Sequence, residues 1–199
     1  MLRSSDFEIV LASASPRRLE LLQQIGVCAL VQSVPVDEVL MAGERPLDFV
    51  QRLALDKAKA GFEFMLQQDI ELPVLGSDTI VELDGEVFGK PADSEQAESM
   101  LAKLSGRVHQ VHTAVAVKTA DAEYSALSTS QVEFAVLSDE MIKAYVTTGE
   151  PLDKAGSYGI QGRAAQFVKN LNGSYSGVMG LPLFETAKLL AAAQVKIPV

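Results

Sequence analysis

Arg17 and Arg18 stand side by side directly after Pro16 in this 199-residue chain, and their placement is the first feature that could do chemistry. Ser15 suits a helix N-cap and Pro16 the first helical position, where a missing N–H costs nothing. That puts two cations at the positive end of a helix dipole, where carboxylates are normally favoured. One reading is a solvated pair on a tolerant surface. The other is an anion site, in which backbone N–H groups and two guanidinium forks hold a phosphate. Further along, Asp78 interrupts an apolar run, Leu75-Gly-Ser-Asp-Thr-Ile-Val, either as a strand-edge residue or as a poised base or metal ligand. Glu38 follows a predicted strand as a solvated loop residue or a second ligand. Lys90 sits in a stiff turn between Gly89 and Pro91, and Asp153, Lys154 and Gln161 lie in a long Gly-rich loop. Carboxylates, lysines and an arginine pair suit Mg²⁺ or Mn²⁺ acting on a phosphate ester.

Other chemistries fail on spacing. The run Gly85-Glu-Val-Phe-Gly-Lys-Pro is one residue short of a phosphate-binding P-loop and has Pro where Ser or Thr must meet magnesium. Gly156, Gly159 and Gly162 are evenly spaced and do not form a dinucleotide fingerprint. His109 and His112 are the only histidines, and their odd separation on a strand predicts opposite faces, which disfavours a shared metal. No Ser elbow supports a hydrolase triad. Cys28, the single cysteine, lies in an apolar run and reads as a buried small hydrophobe. It leaves no intrachain disulfide possible, which fits a reducing compartment.

The elements that position these groups follow from pattern. Residues 7–12 read as a buried strand, and Leu19, Leu22 and Ile25 continue a helix that Gly26 stops. Residues 28–34 read as a second strand. Pro46 opens a long helix with Phe49, Val50, Leu53 and Ala54 on one face and Asp56 and Lys57 among its polar positions. Residues 73–83 are β-rich, with Asp84-Gly85 as a hairpin turn. Asp93 and Gln96 match a capping box for a helix ending near Gly106. Residues 108–117 and 125–136 read as antiparallel strands. Ser138 caps a short helix that stops by Gly149, and 150–162 is a loop without periodicity. Residues 166–171 form a strand, and Pro182 starts a closing helix to Ala193. Helices and strands alternate without strict βαβ order, so the expected fold is α/β with a mixed sheet flanked by helices.

Composition is that of an ordinary globular chain, 48% hydrophobic and 22% charged. A net charge of −9 without a basic stripe argues against nucleic-acid binding, although a small polyanion can still be held by local basic groups and a cation. Residues 1–7 are polar and lack the apolar core of a signal peptide, and no apolar run approaches membrane-spanning length.

Taken together, Ser13-Ala-Ser-Pro-Arg-Arg-Leu-Glu-Leu-Leu, Gly76-Ser-Asp-Thr-Ile-Val with Gly89-Lys-Pro, Asp153-Lys-Ala-Gly-Ser-Tyr-Gly-Ile-Gln-Gly, Asn172-Gly-Ser-Tyr and Gly180-Leu-Pro resemble the Maf family over nearly all of the chain after Phe7. The resemblance implies an inosine-triphosphatase-like α/β fold with two lobes and a cleft, as one domain over residues 7–199 behind an extension of residues 1–6. It implies a cytoplasmic, homodimeric nucleoside triphosphate pyrophosphatase with a nucleotide-pool housecleaning role and Mg²⁺ or Mn²⁺ as cofactor. The family's proton acceptor falls on Asp78, and its specificity positions fall on Arg17, Thr79 and Gln161. Ser13, Arg18, Glu38, Lys57, Lys90 and Lys154 correspond to other site positions. The form Ser-Tyr-Gly-Ile-Gln-Gly resembles the branch acting on dTTP and UTP, or on modified pyrimidine nucleotides, rather than the branch acting on 7-methyl-GTP. Ser77 is a small departure, since Ala is more familiar before the Asp-Thr pair.

On that footing Arg17, Arg18 and the first-turn amides hold the triphosphate, with Lys57, Lys90 and Lys154 adding charge as pyrophosphate leaves. Glu38 and Asp78 hold the cation, and Asp78 aligns or deprotonates the attacking water. Gln161 offers one donor and one acceptor to the acceptor–donor–acceptor edge of uracil or thymine. Two rivals from other classes stay open: a nucleotide-binding regulator of cell division that needs no turnover, and a phosphatase that releases orthophosphate.

Overall fold

The computed structural model describes residues 7–198; the expected extension at 1–6 lies outside the described residues. β1 (Ile9–Leu11) is wholly buried and leads into α1 (Pro16–Gln24). Pro16 opens the helix as its sequence position predicts, and Gly26 closes it at φ +75, with Gly26 N donating to Gln23 O and Val27 N to Leu22 O. A left-handed residue here needs glycine, because a Cβ would crowd the preceding carbonyl. β2 (Ala29–Val31) is shorter than the strand expected over 28–34. Cys28 is exposed, contrary to the buried position expected for it. It precedes a short strand at the margin of the sheet, which among the described residues pairs with β1 alone.

α2 (Pro46–Leu66) buries Phe49, Val50, Leu53, Ala54, Ala58, Gly61, Phe62 and Met65, a stripe at helical spacing that extends the predicted face by three turns. β3 (Val74–Leu83) turns through Asp84 (φ 54) and Gly85 (φ 85) into β4 (Glu86–Phe88), in antiparallel register Val81 to Phe88 and Leu83 to Glu86. Two successive positive φ values are what a two-residue hairpin turn requires, so the Asp-Gly pair is explained. α3 (Ser94–Leu104) begins as predicted: Asp93 Oδ1 accepts from Gln96 N at 2.8 Å, and Gln96 Oε1 accepts from Ala92 N at 2.6 Å.

β5 (Val108–Lys118) and β6 (Glu123–Phe134) are neighbours joined by a short turn in which Thr119 N donates to Ala122 O. α4 (Asp139–Val146) is capped by Ser138, whose Oγ accepts from Met141 N. The stretch 150–162, expected as irregular loop, holds 3₁₀ turns at Glu150–Asp153 and Ala155–Ser157, and a third, Arg163–Phe167, takes up the first two residues of the strand expected over 166–171. β7 (Val168–Asn172) pairs antiparallel with β6. A short α5 (Tyr175–Met179) precedes the closing α6 (Leu183–Ala192).

Among the described residues seven strands form one sheet, in the order β2-β1-β3-β5-β6-β7 with β4 on β3. β1 runs parallel to both β2 and β3, while β4 and β7 pair antiparallel, so the sheet is mixed as expected. The described chain forms two compact units, one of residues 7–78, 113–128 and 180–198, the other of 79–112 and 129–179. Within the first unit Val10, Ala12 and Val74 pack on Phe62 and Met65 of α2. The second unit has its own core around Phe88, Leu101, Leu104, Phe134, Tyr158 and Phe167. Burial of such side chains contributes roughly 2 kcal/mol each. Among the described residues no helix is long and apolar enough to cross a membrane.

Candidate active site

In the first unit, Gly76 sets the geometry. A Cβ built there would lie 2.3 Å from Ala54 O and 2.6 Å from Ala58 N, so β3 touches the backbone of α2 where no other residue would fit. Two residues on, Asp78 is buried within β3, and from α2 Lys57 reaches it with Nζ 2.6 Å from Asp78 Oδ1. The same Nζ lies 2.7 Å from Glu38 Oε1. One ammonium therefore meets two carboxylates that come from a strand and from the loop before α2.

That loop is stapled to α2 by Arg52, whose Nε and Nη2 donate to Glu44 Oε1 and Oε2 at 2.7 and 2.8 Å. Nη2 also donates to Val39 O at 3.1 Å, next to Glu38. The forked bond holds the Glu44 carboxyl down at about 2, well below its usual range. Arg52 was not singled out from the sequence, where it looks like any polar helix position; its only trace is its spacing from Asp56, one turn later.

At the start of α1, Ser15 makes no side-chain cap, and the first turn holds no acidic residue. Ser13 Oγ instead accepts from Ser15 N at 3.2 Å and from Arg18 Nη1 at 3.1 Å. Arg18 Nε donates to Gly180 O at 2.8 Å. Burial pushes the Arg18 guanidinium below its ordinary pKa; the Asp78 carboxylate opposes this, Arg17 adds to it, and Glu38 opposes it more weakly. Arg17 is half-buried. Ser77 is fully buried with Oγ 2.9 Å from Ala114 O and 3.0 Å from Gly180 O. The structure thus brings Ser13, Arg17, Arg18, Glu38, Lys57 and Asp78 together in one unit.

The second unit carries Thr79, Lys90, Lys154 and Gln161. Thr79 is half-buried next to Asp78 on β3, while Lys90 and Gln161 are exposed. Gly156 N donates to Gly89 O at 3.1 Å, which joins the Lys90 turn to the Gly-rich loop. Lys154 Nζ is held inward, donating to Glu150 O at 2.7 Å and Asp153 Oδ1 at 2.6 Å. The glycines of this loop make room for side chains of the protein: a Cβ on Gly159 would meet Lys154 Cε at 2.6 Å, and one on Gly162 would meet Glu150 Oε1 at 2.1 Å. Glu150 and its partner Tyr145 were likewise not foreseen, although the glycine spacing signalled that something approaches closely.

His109 and His112 do not converge. His109 Nε2 lies 2.8 Å from Tyr158 Oη, and His112 Nδ1 lies 2.9 Å from Thr129 Oγ1. Among the described residues no cluster of three His, Cys, Asp or Glu side chains is poised for a metal. Asp78 and Glu38, however, already share one cation, and two carboxylates completed by substrate oxygens form the hard donor set that Mg²⁺ or Mn²⁺ takes. The residues fit a divalent ion.

A family model described as Maf-like protein matches residues 8–193, across both units. The chain belongs to the Maf family. Relatives named dTTP/UTP pyrophosphatase include one from Methylobacillus flagellatus, 51% identical over 96% of this chain and 94% of the relative. Another, from Alkalilimnicola ehrlichii, is 55% identical over 92% of this chain and 91% of the relative. A third, from Saccharophagus degradans, is 52% identical over 96% and 90%. The solved structure of the Staphylococcus aureus Ham1 protein aligns at a TM-score of 0.45 and 20% identity, over 64% of this chain and 71% of that one.

Proposed function

We propose that this Maf-family chain is a hydrolase that cleaves dTTP and UTP to the nucleoside monophosphate and pyrophosphate. The observation that carries the reading is the convergence of Asp78 and Glu38 on Lys57, in the unit where Arg18 and Ser13 meet at the start of α1. Relatives about half identical to this chain over nearly their whole length bear the name of that activity.

Asp78 is the proton acceptor for the attacking water. It is shielded from bulk solvent on β3, and one oxygen is already engaged by Lys57. Lys57 offsets half of the charge of the two carboxylates. Arg17 and Arg18, with the first-turn amides of α1, hold phosphate oxygens; Ser13 and Gly180 fix the Arg18 fork so that little orientation is lost on binding. A divalent cation, Mg²⁺ or Mn²⁺, is to be held by Asp78 and Glu38, and it supplies Lewis-acid polarisation of the phosphate. Lys90 and Lys154 stabilise charge on the departing pyrophosphate.

Thr79 and Gln161 select the base. The Gln161 amide pairs with the donor–acceptor edge of uracil or thymine, while cytosine presents an amine where an acceptor is needed and leaves groups unpaired. Such a mismatch costs on the order of 10²-fold in a dry site. The reading extends to a single functional domain over residues 7–199, to a homodimer, and to a cytoplasmic housecleaning role in the nucleotide pool, with no nucleic-acid or membrane partner.

Phosphate release measured with and without added inorganic pyrophosphatase, over dTTP, UTP, CTP, ATP and 7-methyl-GTP, tests the proposal. Orthophosphate that appears only with the coupling enzyme, and mainly from dTTP and UTP, is the expected result. Orthophosphate without it indicates a phosphatase, and nucleotide binding without turnover indicates a sensor; either outcome defeats the proposal.

A further inference from the structure

The loop that carries Gln161 is held from inside by a two-residue clasp. Tyr145, on α4, is buried, with its ring edge-on to Phe167 at 5.2 Å between centroids. Its hydroxyl donates to Glu150 Oε1 at 2.8 Å and accepts from Gly159 N at 3.2 Å. The other carboxylate oxygen, Glu150 Oε2, accepts from Arg163 N at 3.1 Å. The two bonds into the loop backbone thus fall at residues 159 and 163, two before Gln161 and two after it. Glu150 is seated against Gly162, where a Cβ would lie 2.1 Å from its Oε1. Burial first, and the Glu150 carboxylate next, push the Tyr145 hydroxyl up from its ordinary pKa, so it remains a donor at neutral pH.

Gln161 itself is exposed, so its backbone sets the position from which its amide reaches out. A side chain that must match a base edge needs that backbone held to a fraction of an ångström, because hydrogen bonds weaken steeply with misalignment. We propose that Tyr145 and Glu150 are positioning residues for base selection: they hold residues 159–163 in one conformation and so aim Gln161, without touching the nucleotide. This rests on the reading of Gln161 as the residue that selects the base. It predicts a role separable from catalysis, since the bonds of the two side chains into the loop fall on the backbone of Gly159 and Arg163.

The test is the ratio of kcat/KM for dTTP to that for CTP, measured in the wild-type protein and in Tyr145→Phe, Glu150→Gln and Gln161→Ala, with Tm recorded for each. Tyr145→Phe removes only the hydroxyl, and the expected result is a fall in the ratio of about tenfold, mostly through the dTTP term. Glu150→Gln, nearly the same in shape, keeps one acceptor and should lower the ratio less; it also serves if Tyr145→Phe does not fold. In the Gln161→Ala background, Tyr145→Phe should lower the ratio no further, because its effect passes through Gln161. A wild-type ratio well above one that survives Tyr145→Phe and Glu150→Gln overturns the clasp while leaving the base reading intact. An equal loss on dTTP and CTP, tracking Tm, makes the pair merely structural and overturns it too. A wild-type ratio near one defeats the base reading and the clasp with it.

Discussion

Lys57 Nζ lies 2.6 Å from Asp78 Oδ1, although 21 residues separate the two in the chain, and the same nitrogen is 2.7 Å from Glu38 Oε1. The contact depends on β3 lying directly against α2. It turns a carboxylate that would be costly alone in an apolar strand into one member of a compensated cluster.

Asp78→Asn keeps that volume but removes both the proton acceptor and the charge. Turnover of dTTP should fall by roughly 10²-fold or more, with the circular dichroism spectrum unchanged. Near-normal turnover by a folded variant would remove Asp78 from the chemistry.

Gly76→Ala tests the seat of the cluster. The added methyl would press on Ala54 O and Ala58 N, both backbone atoms that cannot swing aside. An overpacked core contact costs about 1–3 kcal/mol, and for a chain of this size Tm should fall by several degrees. Activity should fall as well, since Asp78 and Lys57 are spread apart. Unchanged Tm and turnover would mean that the strand has room to move.

Much of this frame was legible in the sequence. Pro16 and Pro46 at helix starts, the apolar stripe from Phe49, the Asp84-Gly85 turn and the Asp93–Gln96 cap are local signals, and each formed the element expected of it. What escaped was non-local. Arg52 grips Glu44 and Val39 across a loop, and Glu150 reaches Arg163 across a run of glycines, neither with any periodicity to announce it. The five residues of Tyr175–Met179 are too few to show a helical pattern. Cys28 was expected to be buried because its neighbours are apolar, yet hydropathy does not tell a central strand from a marginal one. The site motifs were recognisable from type and order, but not the way Ser13 and Gly180 lock Arg18.

Ser77→Ala should show what this buried hydroxyl contributes. The serine hydroxyl donates between Ala114 O and Gly180 O in a fully buried position. Its loss leaves Ala114 O without that donor and should cost about 1 kcal/mol, a few degrees in Tm, with turnover largely kept. A more stable variant would mean that the hydroxyl is tolerated rather than used.

His109 links stability to pH. Burial lowers its pKa to about 4, and among the described residues Nδ1 has no hydrogen-bond partner to stabilise a charge. The unfolded chain therefore binds a proton near pH 6.5 that the folded protein takes up only near 4, so stability falls as pH drops through that window. His112, also lowered by burial, contributes in the same direction. Denaturation midpoints between pH 7 and 4.5 should decline in the wild type and decline less in His109→Leu. Equal slopes would show that His109 titrates normally.

In the proposed reaction Asp78 directs water onto the α-phosphorus of dTTP or UTP, and pyrophosphate leaves. Hydrolysis of dTTP in ¹⁸O-enriched water, with both products weighed by mass spectrometry, tests it most directly. The predicted result is one ¹⁸O in dTMP and none in pyrophosphate. Label in pyrophosphate or orthophosphate, with unlabelled nucleotide, would contradict it.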